Sequence, residues 1–124
     1  MTELHYWSIL QLSEALRRGD ISPVEVVRTI LARIEALDGR LHSYITVMSD
    51  QALARARVAE EELGRGLWRG PLHGVPLAAK DLFYTRDAVT TAGMKVHRDF
   101  VPDHDATVIE RLYGAGAILL APRP

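Results

Sequence analysis

The sequence lacks several features that would indicate particular classes of protein. It has no cysteine, which excludes disulfides, thiolate metal sites and cysteine nucleophiles. Its 15 basic and 16 acidic residues give a net charge of −1, so no basic excess indicates a nucleic-acid or anionic-membrane partner. The longest apolar run, Ala115–Ala121, contains Gly116 and is too short to cross a bilayer. The N-terminus lacks the basic and apolar regions of a signal peptide, which predicts a cytoplasmic protein.

Motifs for metals, nucleotides and exposed serine nucleophiles are also missing. Gly114 and Gly116 resemble the start of a dinucleotide-binding loop, but position 119 is Leu and the predicted helix precedes its strand, so no cofactor is expected. All five serines precede Gly64, and none lies in a glycine-flanked turn. No metal site is expected, because no histidines are spaced as a helical i,i+4 pair: His5, His42, His73, His97 and His104.

The 124 residues are enough for one domain, and a hydrophobic fraction of 48% argues against disorder. Three helices are predicted before residue 64. The first covers residues 7–18 and buries Ile9, Leu12 and Leu16, with Leu10 and Ala15 widening the stripe. The second begins with a capping box at Ser22-Pro23-Val24-Glu25 and ends at Asp38-Gly39. The third covers about 51–63, is capped by Ser49 or Asp50, and buries Ala52, Ala56, Ala59 and Leu63.

Three short strands are predicted, at Tyr44–Val47, Pro76–Ala79 and Ala117–Leu120. The second is apolar on successive residues, so we expect both of its faces to be covered. A connection over residues 82–104 and a helix capped by Asp105 or Asp103 complete a right-handed βαβ unit with parallel strands. The predicted fold is α/β, with a helical layer (7–63) packed on the start of a mixed or parallel sheet, followed by a loop, a strand and the βαβ unit (64–120).

The densest run of glycine and proline, Gly70–Asp81 (GPLHGVPLAAKD), leads into the second predicted strand and ends at Lys80 and Asp81. Ligands of open α/β sheets bind beyond the carboxyl ends of the strands, where Lys80 lies. Apolar neighbours there would favour the neutral amine that a general base requires. A solvated lysine just past a strand has the same spacing. We predict Lys80 as the catalytic candidate and a structural role for Asp81, on the opposite face.

The segments GPLHGVPLAAKD, TTAGM and FVPDHDATVIERLYGAGAILL strongly resemble the amidase signature family. The resemblance runs from Trp7 to Leu120 and includes the ISPVEVV helix start and the RIEALDGRLHSYITV stretch. Members hydrolyse or transfer amide groups with a Ser–cis-Ser–Lys triad. By motif match, Lys80 corresponds to the catalytic lysine, which the resemblance implies to be the base that activates the nucleophilic serine through the cis-serine. The implied substrate is a small carboxylic amide.

The resemblance also implies that both catalytic serines and the oxyanion hole belong to a Gly/Ser-rich segment that follows, in the family, everything present here. We therefore expect residues 1–124 to be the N-terminal portion of a single amidase domain and to be inactive in isolation. Within the enzyme class, the alternative is the amidase subunit of a tRNA-dependent amidotransferase. From a different class, the alternative is a truncated, non-catalytic remnant or interaction module that self-associates through an exposed sheet edge.

Overall fold

Helices and strands alternate late in the chain, as expected for an α/β fold, in a computed structural model that describes residues 3–124. Met1 and Thr2, part of the stretch considered for a signal peptide, lie outside the described residues. Single 3₁₀ turns cover Leu4–Tyr6 and Lys95–His97. The regular elements are α1 (Ile9–Arg18), α2 (Pro23–Leu41), α3 (Ser49–Gly64), β1 (Pro76–Lys80), α4 (Thr107–Gly114) and β2 (Ile118–Arg123).

The first two helices begin with reciprocal capping boxes. At α2, Ser22 Oγ accepts from Glu25 N at 3.1 Å and Glu25 Oε2 accepts from Ser22 N at 3.0 Å, which confirms the predicted start. At α1, Ser8 and Gln11 form the same pair, so this helix begins at residue 9 rather than 7. Gly19 ends α1 with a φ of 78°, as its position predicted.

The buried face of α1 is narrower than its sequence predicted. Leu12 and Leu16 pack with Val26 of α2 and Val75, which precedes β1. Ile9 and Leu10 are 52% and 71% exposed, so their assignment to the apolar stripe was wrong. Both lie in the first turn, beyond the contact that Leu12 and Leu16 make.

Helix α2 continues past the predicted stop at Asp38-Gly39. Its last residue is Leu41, and His42 follows in the left-handed conformation with a φ of 50°. Asp38 fixes this later end, because its carbonyl accepts from His42 N at 2.8 Å and its Oδ1 accepts from Ser43 N at 2.6 Å. The helix passes through Gly39, which a helix interior tolerates at a cost of about 1 kcal/mol relative to alanine.

The predicted strand at Tyr44–Val47 is wrong, although this segment does lie beside β2. Ile45 N donates to Pro122 O at 3.1 Å, and Met48 N donates to Leu120 O at 2.7 Å. Between these bonds the segment advances three residues while β2 advances two, so a regular ladder does not form. Helix α3 follows at Ser49 with Met48 as its N-cap and no side-chain cap, so neither Ser49 nor Asp50 caps it.

Strands β1 and β2 are parallel, as predicted, and pair from Pro76 with Ile118 to Lys80 with Arg123. Both faces of β2 are buried. Ile118 and Leu120 pack against α2 and α3 through residues such as Val27 and Ala56, while Leu119 packs with Met48 and Ala88.

Strand β1 is covered on one face alone among the described residues. Leu77 and Ala79 pack with the Leu119 cluster, whereas Ala78 and Lys80 are exposed. The expectation that both faces would be covered was therefore wrong. The cluster formed with α2 and α3 includes residues of β2 and none of β1, so these helices leave the second face of β1 open.

The start of α4 also differs from the prediction. Ala106 is its N-cap and makes no side-chain cap bond. Asp105 Oδ1 accepts instead from Arg86 N at 2.7 Å, which ties the end of the long connection to its beginning, and Asp103 pairs with His104. Ile109 is the buried residue of α4, while Val108 is 43% exposed. Within residues 3–124, no helix combines the length and apolarity needed to cross a bilayer.

Candidate active site around Lys80

Lys80 is the last residue of β1 and lies beside Arg123 at the end of β2. This is the carboxyl end of the parallel pair, the edge at which open α/β sheets bind ligands. Lys80 and Ala78 point to the same, exposed face of the strand. The apolar surroundings expected for Lys80 are therefore not supplied on that face by the described part of the chain.

A depression of about 270 Å³ lies at the end of β1. Its wall is mainly apolar, and Lys80 and Asp81 contribute the two ionisable side chains in it. Ile45 and Pro124 close one side, whereas Ala92 and Gly93 belong to the long connection between β1 and α4. The pocket is thus assembled from separate parts of the chain, with an amine at its edge.

Asp81 is buried, with 3% of its surface exposed, although it follows the exposed Lys80 directly. Its Oδ1 accepts from Thr91 N at 2.9 Å, and its Oδ2 accepts from Thr91 Oγ1. Its backbone is paired as well: its N donates to Arg123 O at 2.6 Å and its O accepts from Ala92 N at 2.7 Å. These bonds compensate the desolvation of a buried carboxylate and join the end of β1 to both β2 and the pocket wall.

The segment Thr90–Gly93 is held in a specific conformation beside Lys80. Thr90 is buried, its N donates to Phe100 O at 2.8 Å, and Thr91 Oγ1 accepts from Gly93 N at 3.1 Å. Ala92 has a φ of 50°, a left-handed conformation that costs a residue with a Cβ about 1–2 kcal/mol. The Asp81–Thr91 bonds fix this strained turn, so the wall formed by Ala92 and Gly93 is preorganised.

Sequence reasoning found Lys80 but not the residues that shape its surroundings. The Thr-Thr-Ala-Gly run signalled a turn, but nothing in the spacing indicated that Asp81 would hold it across ten residues. Ile45 was missed as a pocket residue because the segment around it was predicted to be a regular strand.

The serines are placed away from this pocket. Ser8 and Ser22 are used in capping boxes, Ser13 is buried in α1, and Ser43 N bonds to Asp38. None of the serines lines the pocket at Lys80, and all of them lie within the described residues. Over the same range, residues 3–124, no cluster of three histidine, aspartate or glutamate side chains is arranged to hold a metal ion.

Comparison with known proteins identifies the family. The family model described as Amidase matches residues 25–122. The AmiD protein of Mycobacterium tuberculosis (strain H37Rv), an amidase by name, is 46% identical over 112 residues, which are 90% of this chain and 24% of AmiD. The amidotransferase that acts by name on glutamyl-tRNA(Gln) in Thioalkalivibrio sulfidiphilus has an A subunit that is 46% identical over 117 residues, 94% of this chain and 24% of that protein.

Solved structures give the same result. The native peptide amidase from Stenotrophomonas maltophilia superposes with a TM-score of 0.89 at 34% identity, over 95% of this chain and 24% of that enzyme. The chain therefore spans about a quarter of the length of the relatives it matches. Since the family model covers most of its residues, the chain belongs to the amidase signature family and corresponds to the N-terminal quarter of its members.

Proposed function

We propose that this chain supplies the lysine base of an amide-hydrolysing site, and that Lys80 is that base. The observation that carries the proposal is the position of Lys80 at the carboxyl end of β1, on the edge of a pocket whose wall is fixed by Asp81. The motif match of Lys80 to the catalytic lysine of the family supports the same role. The substrate is a carboxylic amide, and the products are a carboxylate and ammonia or an amine.

In the proposed reaction, the neutral amine of Lys80 removes a proton from the cis-serine. The cis-serine in turn accepts the proton of the nucleophilic serine, whose oxygen attacks the amide carbon. The tetrahedral intermediate collapses when the C–N bond breaks and the returning proton goes to the leaving nitrogen. Water then hydrolyses the acyl-serine by the same relay, and backbone N–H groups stabilise the oxyanion. Both serines and the oxyanion hole come, in this proposal, from the further length that the relatives possess.

A chimera tests the role of Lys80. Residues 3–122 of this chain replace the matching segment of the Stenotrophomonas peptide amidase, and ammonia release from a peptide amide is measured. We expect an active chimera that loses at least about 10³-fold in kcat when Lys80→Ala removes the base. Lys95 is the matched control, because it is the other lysine of the sequence and is exposed in the connection. An active Lys80→Ala chimera, with turnover close to that of Lys95→Ala, would contradict the proposal.

A second amide-transfer function is favoured by several relatives. The amidotransferase subunits of Thioalkalivibrio sulfidiphilus and Moorella thermoacetica are 46% and 44% identical to this chain. In that case the same site would release ammonia for transfer to a glutamyl-tRNA instead of to water. Companion subunits encoded beside the gene, and their co-purification with the protein, would distinguish this function from simple hydrolysis.

An interaction role is the candidate from a different class. Its support is the unpaired outer edge of β1, which in the described residues pairs with β2 alone, together with the exposed face at Ala78 and Lys80. A strand of another chain, or of a second copy, would pair with such an edge.

A further inference from the structure

A second pocket lies at the other end of β1 from Lys80. It has a volume of about 220 Å³ and lies between α3, the loop that precedes β1, and the turn from α4 to β2. His73 lies three residues before β1, and Lys80 ends the strand, so the two pockets are separated by at least about 13 Å of extended chain. The polar residues in its wall are Arg55, Glu62, Arg69, His73 and Tyr113.

His73 presents a buried donor to this pocket. Its side chain is completely buried, and its Nδ1 accepts from Arg69 N at 3.1 Å. In the neutral ring the proton is therefore on Nε2. Nε2 has no hydrogen-bond partner among the described residues, since Glu62 Oε2 lies 3.6 Å away, outside hydrogen-bonding distance. Leaving such a donor unsatisfied costs about 1–3 kcal/mol, so its position calls for an acceptor.

Tyr113 contributes a second donor without a partner. Its hydroxyl is buried and makes no hydrogen bond of standard geometry with the described residues, while the Arg55 guanidinium lies 3.4 Å from the centre of its ring. Both donors belong to residues that line the same cavity. Two unsatisfied donors at one small cavity favour a ligand that carries acceptor oxygens.

The charges around the pocket favour an anion. Arg55 and Arg69 face one carboxylate, Glu62, which is already engaged by Arg69 Nε at 2.5 Å. Arg69 Nη1 also donates to Gly114 O at 3.3 Å, which holds this arginine in place. With His73 neutral, the two guanidiniums exceed the single carboxylate by one positive charge. A cation would meet N–H and O–H donors and two guanidiniums, so a metal ion does not suit this wall.

We propose that this pocket binds a compact oxyanion, either a carboxylate or inorganic phosphate, held by the Nε2–H of His73 and the hydroxyl of Tyr113. The guanidiniums of Arg55 and Arg69 supply the compensating charge. Burial lowers the pKa of His73, which keeps its ring neutral and a single N–H donor at neutral pH. The site is independent of the proposed role of Lys80 and takes a ligand rather than a reacting amide.

Titration of the purified full chain with sodium acetate and, separately, with sodium phosphate tests this proposal. Sodium chloride keeps the ionic strength constant. Imidazole ¹H–¹⁵N spectra follow the Nε2–H of His73, and the thermal midpoint of unfolding is recorded in parallel. We expect a saturable shift of the His73 signal and a rise in the midpoint with at least one of the two anions. The anion that acts distinguishes a carboxylate ligand from a phosphate ligand.

Two conservative variants locate the binding. Tyr113→Phe removes the hydroxyl but keeps the ring under Arg55, and Arg55→Gln removes one charge. Each should weaken the apparent affinity by about tenfold, which corresponds to about 1.4 kcal/mol for a hydrogen bond or charge lost to an anion. Arg17→Gln is the matched control, because Arg17 also lies over an aromatic ring, at 4.3 Å from that of Trp68, and is absent from this pocket.

Specific outcomes would overturn the proposal. No saturable response to either acetate or phosphate would show that solvent alone satisfies the two donors. A response of equal size to sodium chloride would show a general effect of ionic strength. Unchanged affinity in both Tyr113→Phe and Arg55→Gln, with folding intact by circular dichroism, would place the anion elsewhere on the protein.

Discussion

Gly116 and His73 are in such close contact that a Cβ at position 116 would lie 2.5 Å from His73 Cδ2 and 3.0 Å from His73 Cα. The backbone also pairs these two segments, because Gly74 N donates to Gly116 O at 2.8 Å. Gly116 has a φ of 86°, which a residue with a side chain rarely adopts. The turn from α4 to β2 is thus fitted closely to the loop that leads to β1.

Gly116→Ala should therefore destabilise the protein strongly. The left-handed φ costs about 1 kcal/mol for alanine, and the overlap with the backbone and ring of His73 adds about 1–3 kcal/mol, as overpacking does in a closed core. Urea denaturation followed by circular dichroism measures the difference. Gly66→Ala is the control, since Gly66 has a φ of 80° but no atom within 4 Å of the position that an added methyl group would take. Equal destabilisation of the two variants would show that contact with His73 contributes nothing.

Thr91→Val should loosen the pocket wall next to Lys80. Valine keeps the branched shape of threonine but leaves Asp81 Oδ2 without its hydroxyl donor and Gly93 N without its acceptor. A buried carboxylate that loses a hydrogen bond costs about 1–3 kcal/mol. Amide hydrogen exchange should accelerate at Ala92 and Gly93 before the protein unfolds globally.

Thr29→Val provides the comparison for Thr91→Val. The Thr29 hydroxyl donates to Glu25 O at 2.8 Å on the exposed face of α2, so its loss should change stability by less than about 0.5 kcal/mol. If exchange at Ala92 and Gly93 were as slow in Thr91→Val as in Thr29→Val, the turn would not depend on the Asp81–Thr91 bonds.

The burial of His73 should make folding sensitive to mild acid. Desolvation lowers the pKa of His73 below its ordinary value of 6.5, Glu62 opposes this shift, and Arg69 adds to it. The unfolded chain then binds a proton at a higher pH than the folded chain does. Stability is thus complete above about pH 6.5 and falls as the pH drops through the lower, folded-state value. Urea midpoints measured between pH 7.5 and 5 should show this loss.

The same measurement on His73→Gln isolates the contribution of the imidazole. Glutamine does not titrate, so its stability should vary less with pH over this range, whatever its absolute stability. A pH dependence as steep as that of the unsubstituted chain would assign the acid sensitivity to other groups, such as the carboxylates.

Local signals predicted the elements well where one short stretch determines the result. The Ser22–Glu25 capping box fixed the start of α2, and the successive alanines predicted the buried face of α3 at Ala52, Ala56 and Ala59. The parallel pairing of β1 and β2 followed from a long connection between two apolar runs. The right-handed crossing of that connection stays a prediction.

The errors occurred where distant residues decide the structure. Asp38 extends α2 through its bonds to His42 and Ser43, and Asp105 bonds to Arg86 instead of capping α4. Periodicity carries no information about such partners, because each acceptor lies outside the window that the pattern covers. The open face of β1 likewise depends on which strand the helices cover, and this is a property of the tertiary packing.

The open edge and face of β1 predict association of the purified chain. Ala78 is exposed, and β1 pairs with β2 alone among residues 3–124, so a second copy has unpaired backbone groups and an apolar surface to bind. Size-exclusion chromatography with light scattering should show a mass that rises with concentration. Ala78→Glu should shift the equilibrium to the monomer, because it places a charge on that face. Ala54→Glu, at an exposed position of α3, is the matched control and should leave the mass unchanged. A concentration-independent monomer of the unsubstituted chain would exclude self-association through this edge.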